Sequence, residues 1–173
     1  MPAANAESRR TDTIMSEFRV RDARGGDREP IGTLWRELME HHRALDPRFT
    51  IAPDGEKKYV RHALEMMRSA NGRVLVAESI ESGEVIAYIM GELQSRPPIA
   101  LPGLYGFISD ICVAEPWRKQ GVGRALFLEM KRWFVTRKAI AIELYIAESN
   151  PAALAFWADM GLQPFLKLLH VDL

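Results

Sequence analysis

EPWRKQGVGRALFLEMKRWF, Glu115 to Phe134, opens with a proline and two cations, carries glycines at 121 and 123, and then runs on at helical apolar spacing. Glycine costs a helix interior about 1 kcal/mol against alanine. Two of them at a helix start make sense if something must approach the backbone closely. The first helical turn has N–H groups without partners and the positive end of the helix dipole, so anions collect there. Gly121 and Gly123 remove side chains that would hold a phosphate off those amides. Arg118, Lys119 and Arg124 add positive charge around the same turn. The plainer reading is that the glycines only shape a strand-to-helix turn, and GxG alone does not separate the two. No Gly-Lys-Ser/Thr closes the stretch, which rules out a Walker loop. No third glycine follows, which rules out the dinucleotide fingerprint.

Outward from this turn, the elements fall into one mixed order. FRVRDAR (Phe18–Arg24) alternates as a half-exposed strand does. A helix begins at Asp27, a plausible cap, and Pro47 stops it. DGEKKYVRHALEMMRSANG gives a second helix ending at Gly72. RVLVAES and EVIAYIMGEL flank a turn and form a hairpin. SRPPIALPG (Ser95–Gly103) reads as a loop. YGFISDICVAE is a strand that runs into Pro116, and the quoted stretch supplies the next helix. IAIELYIAE is a strand, SNPAALAFWADMG a short capped helix, and FLKLLHVDL a closing strand. Early antiparallel hairpins followed by one β-α-β unit predict a single α/β sandwich around a mixed sheet. Residues 1–15 read as a polar tail, with Met15 as an alternative start, and 16–173 as one domain.

Bulk composition narrows the partners. The 173 residues are 47% hydrophobic and 27% charged, ordinary for one globular domain. With 23 basic and 23 acidic side chains the formal charge is +0, so neither nucleic acid nor an anionic membrane is expected as the main partner. Cys112 is the single cysteine, which excludes an internal disulfide and a cysteine zinc cluster and fits a reducing cytoplasm. No apolar run reaches the ~18 residues a spanning helix needs. Arg9 and Arg10 are not followed by an apolar core, so the N-terminus does not read as a secretory signal.

The run ISDICVAEPWRKQGVGRAL (Ile108–Leu126) resembles the coenzyme A signature of the GNAT-superfamily N-acetyltransferases: a strand ending in valine, then Arg/Gln-x-x-Gly-x-Gly/Ala opening a helix. Here these are Val113, Arg118, Gly121 and Gly123. ESNPAALAFWADMGL resembles that family's second element through Asn150, Ala153, Phe156 and Gly161. The element order follows the family along almost the whole chain after the tail.

The resemblance implies a GNAT fold: a mostly antiparallel mixed sheet flanked by helices, with a splayed parallel strand pair. It implies acetyl-CoA as cosubstrate, no metal, and transfer of the acetyl group to a primary amine by direct attack. The pyrophosphate would lie on the turn of Arg118, Lys119, Gln120, Gly121, Val122, Gly123 and Arg124. The pantetheine arm would pair with Ile111, Cys112 and Val113 as an added strand, with the Val113 amide facing the thioester oxygen. Asn150 reads as a helix cap ahead of Pro151 and, by resemblance, as a coenzyme contact beside Ala153 and Phe156. Cys112 reads as a small buried hydrophobe.

An alkylamine with a pKa near 10.4 must lose a proton, so a base matters. Where many relatives carry a glutamate, this chain has Ser109, with Asp110 beside it; His42 and Glu78 are weaker bases. The family's usual acid, a tyrosine seven residues after the asparagine, is replaced by Trp157, a core residue by type. Tyr105, Tyr145 or Ser149 would have to substitute. Trp35 and His42 on the first helix are expected on the acceptor side, where the acceptor is a small-molecule or peptide amine. The adjacent His41 and His42 lack a third metal ligand. The apolar closing strand suggests a homodimer. The rival function is a non-catalytic acyl-CoA sensor or regulatory module, kept open by Ser109 and Trp157.

Overall fold

A computed structural model describes residues 17–97 and 103–171. The expected polar tail, the alternative start at Met15 and the middle of the Ser95–Gly103 loop lie outside the described residues.

Five strands form one sheet in the order β1-β2-β3-β4-β5: β1 (Phe18–Asp22), β2 (Gly72–Ser79), β3 (Val85–Ser95), β4 (Leu104–Val113) and β5 (Ile142–Leu144). The first four pair antiparallel, and β5 joins β4 in parallel. Helix α3 (Val122–Thr136) is the crossover between β4 and β5, as a parallel pair requires. Helices α1 (Arg28–Leu45) and α2 (Gly55–Arg68) lie on one face; α3 and α4 (Pro151–Asp159) complete the other.

Both faces of β2 and β3 are covered, which is why their sequences are nearly continuous apolar runs rather than alternations. Val74, Val76, Tyr88 and Met90 pack with Ile31, Leu34, Ala63 and Met66 of α1 and α2. Leu75, Ala77, Ala87 and Ile89 pack with Leu126, Phe127, Met130 and Phe134 of α3. The helical spacing of those α3 residues puts one stripe on the sheet. Trp157 of α4 closes this second core, edge-on to Phe127 with ring centroids 5.5 Å apart and to Phe156 at 4.8 Å.

Asp27 stands at the start of α1 but does not cap it through its side chain. Its carboxylate accepts from Arg21 at 2.7 and 2.9 Å and from the Arg24 amide at 2.6 Å. Arg21 also donates to Glu78 at 2.6 Å, and Arg19 pairs with the same carboxylate. Buried carboxylates need such partners, and the network ties β1 and β2 to the entry of α1. Glu78, a weaker base candidate from the sequence, is therefore occupied by Arg19 and Arg21.

The closing strand is not formed. Residues 163–171 make no strand, and Phe165, Leu166, Leu168, Leu169 and Val171 are 73–84% exposed. A strand needs a sheet edge to pair with, and an apolar pattern alone does not supply one. The strand expected over IAIELYIAE is likewise cut to Ile142–Leu144, because β4 and β5 part beyond Leu144.

Trp157 is only 7% exposed among apolar neighbours. Trp157→Ala is expected to lower stability by about 3–5 kcal/mol, and Trp157→Tyr by less, in urea unfolding. A loss below about 1 kcal/mol for the alanine variant would show that the indole is not a core element.

Candidate active site

A β-bulge in β4 decides where its side chains point. Met90 of β3 stands opposite Asp110 and Gly91 opposite Ile108, so Ser109 is an extra residue on β4. One extra residue moves every later side chain to the other face. Ile108 packs toward α3 before the bulge, and Ile111 and Val113 do so after it. Asp110 and Cys112 therefore share the face covered by α1 and α2. Ser109 itself is exposed and its Oγ donates to the Met90 carbonyl at 3.2 Å.

The Asp110 carboxylate accepts a hydrogen bond from the Tyr59 hydroxyl of α2 at 3.1 Å, and Tyr59 lies 3.2 Å from the Tyr88 hydroxyl of β3. A carboxylate only accepts, so the Tyr59 proton goes to Asp110 and Tyr88 donates to Tyr59. Burial raises the Asp110 pKa above the usual carboxylate range, opposed in part by the Tyr59 hydrogen bond and the nearby His62. Burial also holds both tyrosines well above their ordinary value, and pushes the Cys112 thiol up to about 12. At neutral pH these three stay protonated. A thiol so protonated is a poor nucleophile, in keeping with its reading as a small hydrophobe.

β4 and β5 pair only from Gly106–Ile142 to Ile108–Leu144. The parting begins at the bulge, so Ser109 to Val113 keep β3 on one edge and lose β5 on the other. The Ala114 amide donates to the Ile86 carbonyl of β3 at 2.9 Å. Backbone direction alternates along a strand, so the Cys112 amide also faces β3, whereas those of Ile111 and Val113 face the opened edge.

The glycine turn stands directly beyond that edge. Gly121, with φ +84°, precedes the first residue of α3, a left-handed geometry that glycine adopts without penalty. Lys119 also has positive φ, at 60°. A Cβ on Gly123 would lie 3.4 Å from the Phe156 ring and 3.6 Å from Val113 Cγ2, so the end of β4, the turn and α4 converge here. The Arg118 Nε donates to the Val113 carbonyl at 3.0 Å, and the Gln120 amide nitrogen to the Pro116 carbonyl at 2.6 Å. Arg118, Lys119 and Arg124 are exposed, and among the described residues none of them has an ion pair. Asn150 caps α4: its Oδ1 accepts from the Ala153 amide at 3.0 Å, with Pro151 next.

Other expected residues fall elsewhere. Tyr105 lies on β4 before the bulge, where its hydroxyl donates to Gln94 at 2.5 Å and Arg96 covers its ring. Tyr145 is 80% exposed against Phe107, and Ser149 is exposed. Trp35 stacks on Tyr59, centroids 4.8 Å apart and planes at 14°, which joins it to the Asp110 cluster. His42 sits in the last turn of α1 against Phe49, 5.1 Å away, its pKa lowered by burial and by His41. Tyr59 and Tyr88 escaped the sequence reading. The bulge did leave a signal: Ile108 and Ile111, both on the α3 side, are three apart, which breaks the period of two. Among the described residues no group of three His, Cys, Asp or Glu could hold a metal, and no helix is long and apolar enough to cross a membrane.

Comparison with known proteins follows the same geometry. The BH1408 protein of Bacillus halodurans, as a tetramutant, superposes with a TM-score of 0.79 at 22% identity, over 90% of this chain and 99% of that one. Glucosamine-6-phosphate N-acetyltransferase of Arabidopsis thaliana gives 0.68 at 16% identity, over 90% and 97%. In sequence, the transport and Golgi organization protein 2 homolog of Bos taurus is 36% identical over 87 residues, 48% of this chain; the match spans only 31% of that relative. The model of the acetyltransferase (GNAT) family matches residues 35–162, from Trp35 on α1 to Leu162 just past α4. On that match, which takes in the bulged strand, the glycine turn and the capped helix together, the chain belongs to the GNAT acetyltransferase family.

Proposed function

We propose that this chain is an acetyl-CoA-dependent N-acetyltransferase that moves the acetyl group to a primary amine by direct attack on the thioester. The observation that carries the reading is the turn at the start of α3, with cations free of ion pairs around left-handed backbone, next to the opened edge of β4. The turn suits a pyrophosphate. Ile111 and Val113 offer the backbone groups to which the pantetheine amides would add as a strand, and the Val113 amide would meet the thioester oxygen. Asn150, Ala153 and Phe156 would border the coenzyme from α4.

In the reaction the amine nitrogen bonds to the thioester carbon, the C–S bond breaks, and the thiolate leaves. Asp110 takes the amine proton, directly or through a water held near Ser109. A carboxylate whose pKa is raised is a better base than an ordinary one. Tyr59, Tyr88, His62 and Cys112 are the groups around it, and only His62 favours its charged form by charge. The coenzyme thiol, with a pKa of about 8.5 by analogy with cysteine, departs with little help. Neither Tyr105 nor a residue at Trp157 is then required as an acid. The sensor reading draws support from Trp157 being core.

Acetyl-CoA at a hundredfold excess over its Kd should stabilise the protein by about 2.7 kcal/mol, about 5–10 °C in melting temperature. Gly123→Val should abolish the shift. Lys119→Ala with Arg124→Ala should reduce it without crowding Phe156. An unchanged shift in all folded variants places the coenzyme elsewhere.

The rate should rise with pH through one ionisation. A base works only when deprotonated, so activity falls as pH drops through the raised Asp110 pKa. Asp110→Asn should flatten that rise. A bell-shaped profile whose alkaline limb disappears in Tyr105→Phe or Tyr145→Phe would overturn the account. Binding of acetyl-CoA with no transfer to any amine would favour the sensor.

The exposed apolar side chains of residues 165–171 support a homodimer in which a second copy covers them. Light scattering at micromolar concentration should report twice the chain mass, and a monomer there removes the dimer.

A further inference from the structure

A groove of about 340 Å³ runs between α1 and the start of α2, at the lower end of small-molecule sites. Trp35, Met39, Ile51, Gly55, Tyr59 and His62 form most of its wall. Two features make it more than a surface dip. Tyr59 is shared: its ring lies in the groove wall, stacked on Trp35, while its hydroxyl holds Asp110 at 3.1 Å. One side-chain length therefore separates the groove from the carboxylate. Gly55 lets Ile51 and Trp35 pack directly against the start of α2, because a Cβ there would lie 2.8 Å from Ile51 Cγ2 and 3.1 Å from Trp35 Cη2.

The charge of the groove is selective as well. Among the described residues no carboxylate lines it; the ionisable side chains besides Tyr59 are His62 and Lys58, and Lys58 is paired with Asp54 at 3.0 Å. An acceptor with several ammonium groups would meet Lys58 and His62 in the wall, and an Asp54 carboxylate that Lys58 already engages. A sugar phosphate would put much of its polar surface against Met39, Ile51 and two aromatic rings, with Thr50, Lys58 and His62 alone among the other lining side chains able to meet it. An apolar body with one amine fits both ends: carbon against the Trp35–Tyr59 wall, nitrogen toward Asp110.

Resting on the acetyltransferase reading above, we propose that this groove is the acceptor subsite, and that it takes arylalkyl or branched-alkyl primary monoamines in preference to polyamines and amino-sugar phosphates. Trp35 acts as a specificity determinant.

The test is steady-state acetyl transfer by the full chain to phenethylamine, isoamylamine, ethylamine, spermidine and glucosamine 6-phosphate. The expected result is a kcat/KM for phenethylamine and isoamylamine at least about tenfold above the other three, the order of discrimination that one or two apolar groups give. Trp35→Ala should raise KM for phenethylamine about tenfold, and by clearly more than it raises KM for ethylamine. Thr50→Trp narrows the groove from an exposed position on its rim and should act in the same direction, which keeps the test open if Trp35→Ala fails to fold. A preference for spermidine or glucosamine 6-phosphate overturns the subsite while leaving the acetyltransferase reading intact. Equal losses for phenethylamine and ethylamine in both variants overturn it too. Binding of acetyl-CoA without turnover of any amine overturns the acetyltransferase reading and the subsite together.

Discussion

β4 is held along one edge by β3 for its whole length and along the other by β5 for only three residue pairs. The switch from two neighbours to one happens at Ser109, where the bulge also rotates the strand's side chains by one position. A single inserted residue thus does two jobs. It bends β4 away from β5, and it turns Asp110 from the α3 core toward α1 and α2. Were Ser109 paired in regular alternation, Asp110 would share the face of Ile108 and point into the apolar α3 core, where a carboxylate has no partner. The opened edge and the buried acid are one structural event.

What surrounds that event is arranged to tolerate it. Opening a strand edge exposes backbone amides, and beyond the gap the chain enters α3 through a left-handed glycine rather than a side-chain cap. The result is a turn whose three cations, Arg118, Lys119 and Arg124, make no ion pair among the described residues, with Arg118 donating to the Val113 carbonyl. In a chain whose arginines are otherwise often paired with carboxylates, that is a marked local exception. On the other face, the Tyr88–Tyr59–Asp110 chain satisfies three polar groups in an otherwise apolar core, and no buried side-chain polar atom among the described residues lacks a partner. Satisfied networks of this kind are rigid, so the carboxylate is held in place by two elements, α2 and β3, that do not themselves border the glycine turn.

Most of the architecture was legible because it rests on short-range patterns. The apolar spacing of α3, the continuous runs of β2 and β3 and the proline at the start of α4 each specify an element, and each element forms. The glycines at 121 and 123 and the Asn-Pro pair at 150 were readable as local backbone devices, and they are. Two things were less legible for the same reason: they depend on what lies alongside. FLKLLHVDL has the composition of a strand but pairs with no sheet edge among the described residues. Asp27 has the position of a cap, but the Arg21 guanidinium on β1 and the Arg24 backbone amide take its oxygens. Tyr59 could not be found at all, since a tyrosine on the apolar side of a helix looks like packing until the residue opposite its hydroxyl is known.

Trp157 shows how packing and chemistry divide the work at the far side of the site. Its indole fills the space between Phe127 and Phe156, and Phe156 in turn is the ring that Gly123 leans on. A tyrosine there would put a hydroxyl near the same place at the expense of ring area against Phe127. The trade makes physical sense only if the leaving thiolate needs no proton donor, since an indole N–H does not serve as an acid at neutral pH. A thiol ionising near 8.5 leaves as the anion readily, whereas an amine ionising near 10.4 cannot attack until it is deprotonated. In the proposed reaction the demand for proton transfer then falls on the Asp110 side of β4 alone. That is the side where this fold invests its buried hydrogen bonds, two tyrosines deep, around a single carboxylate.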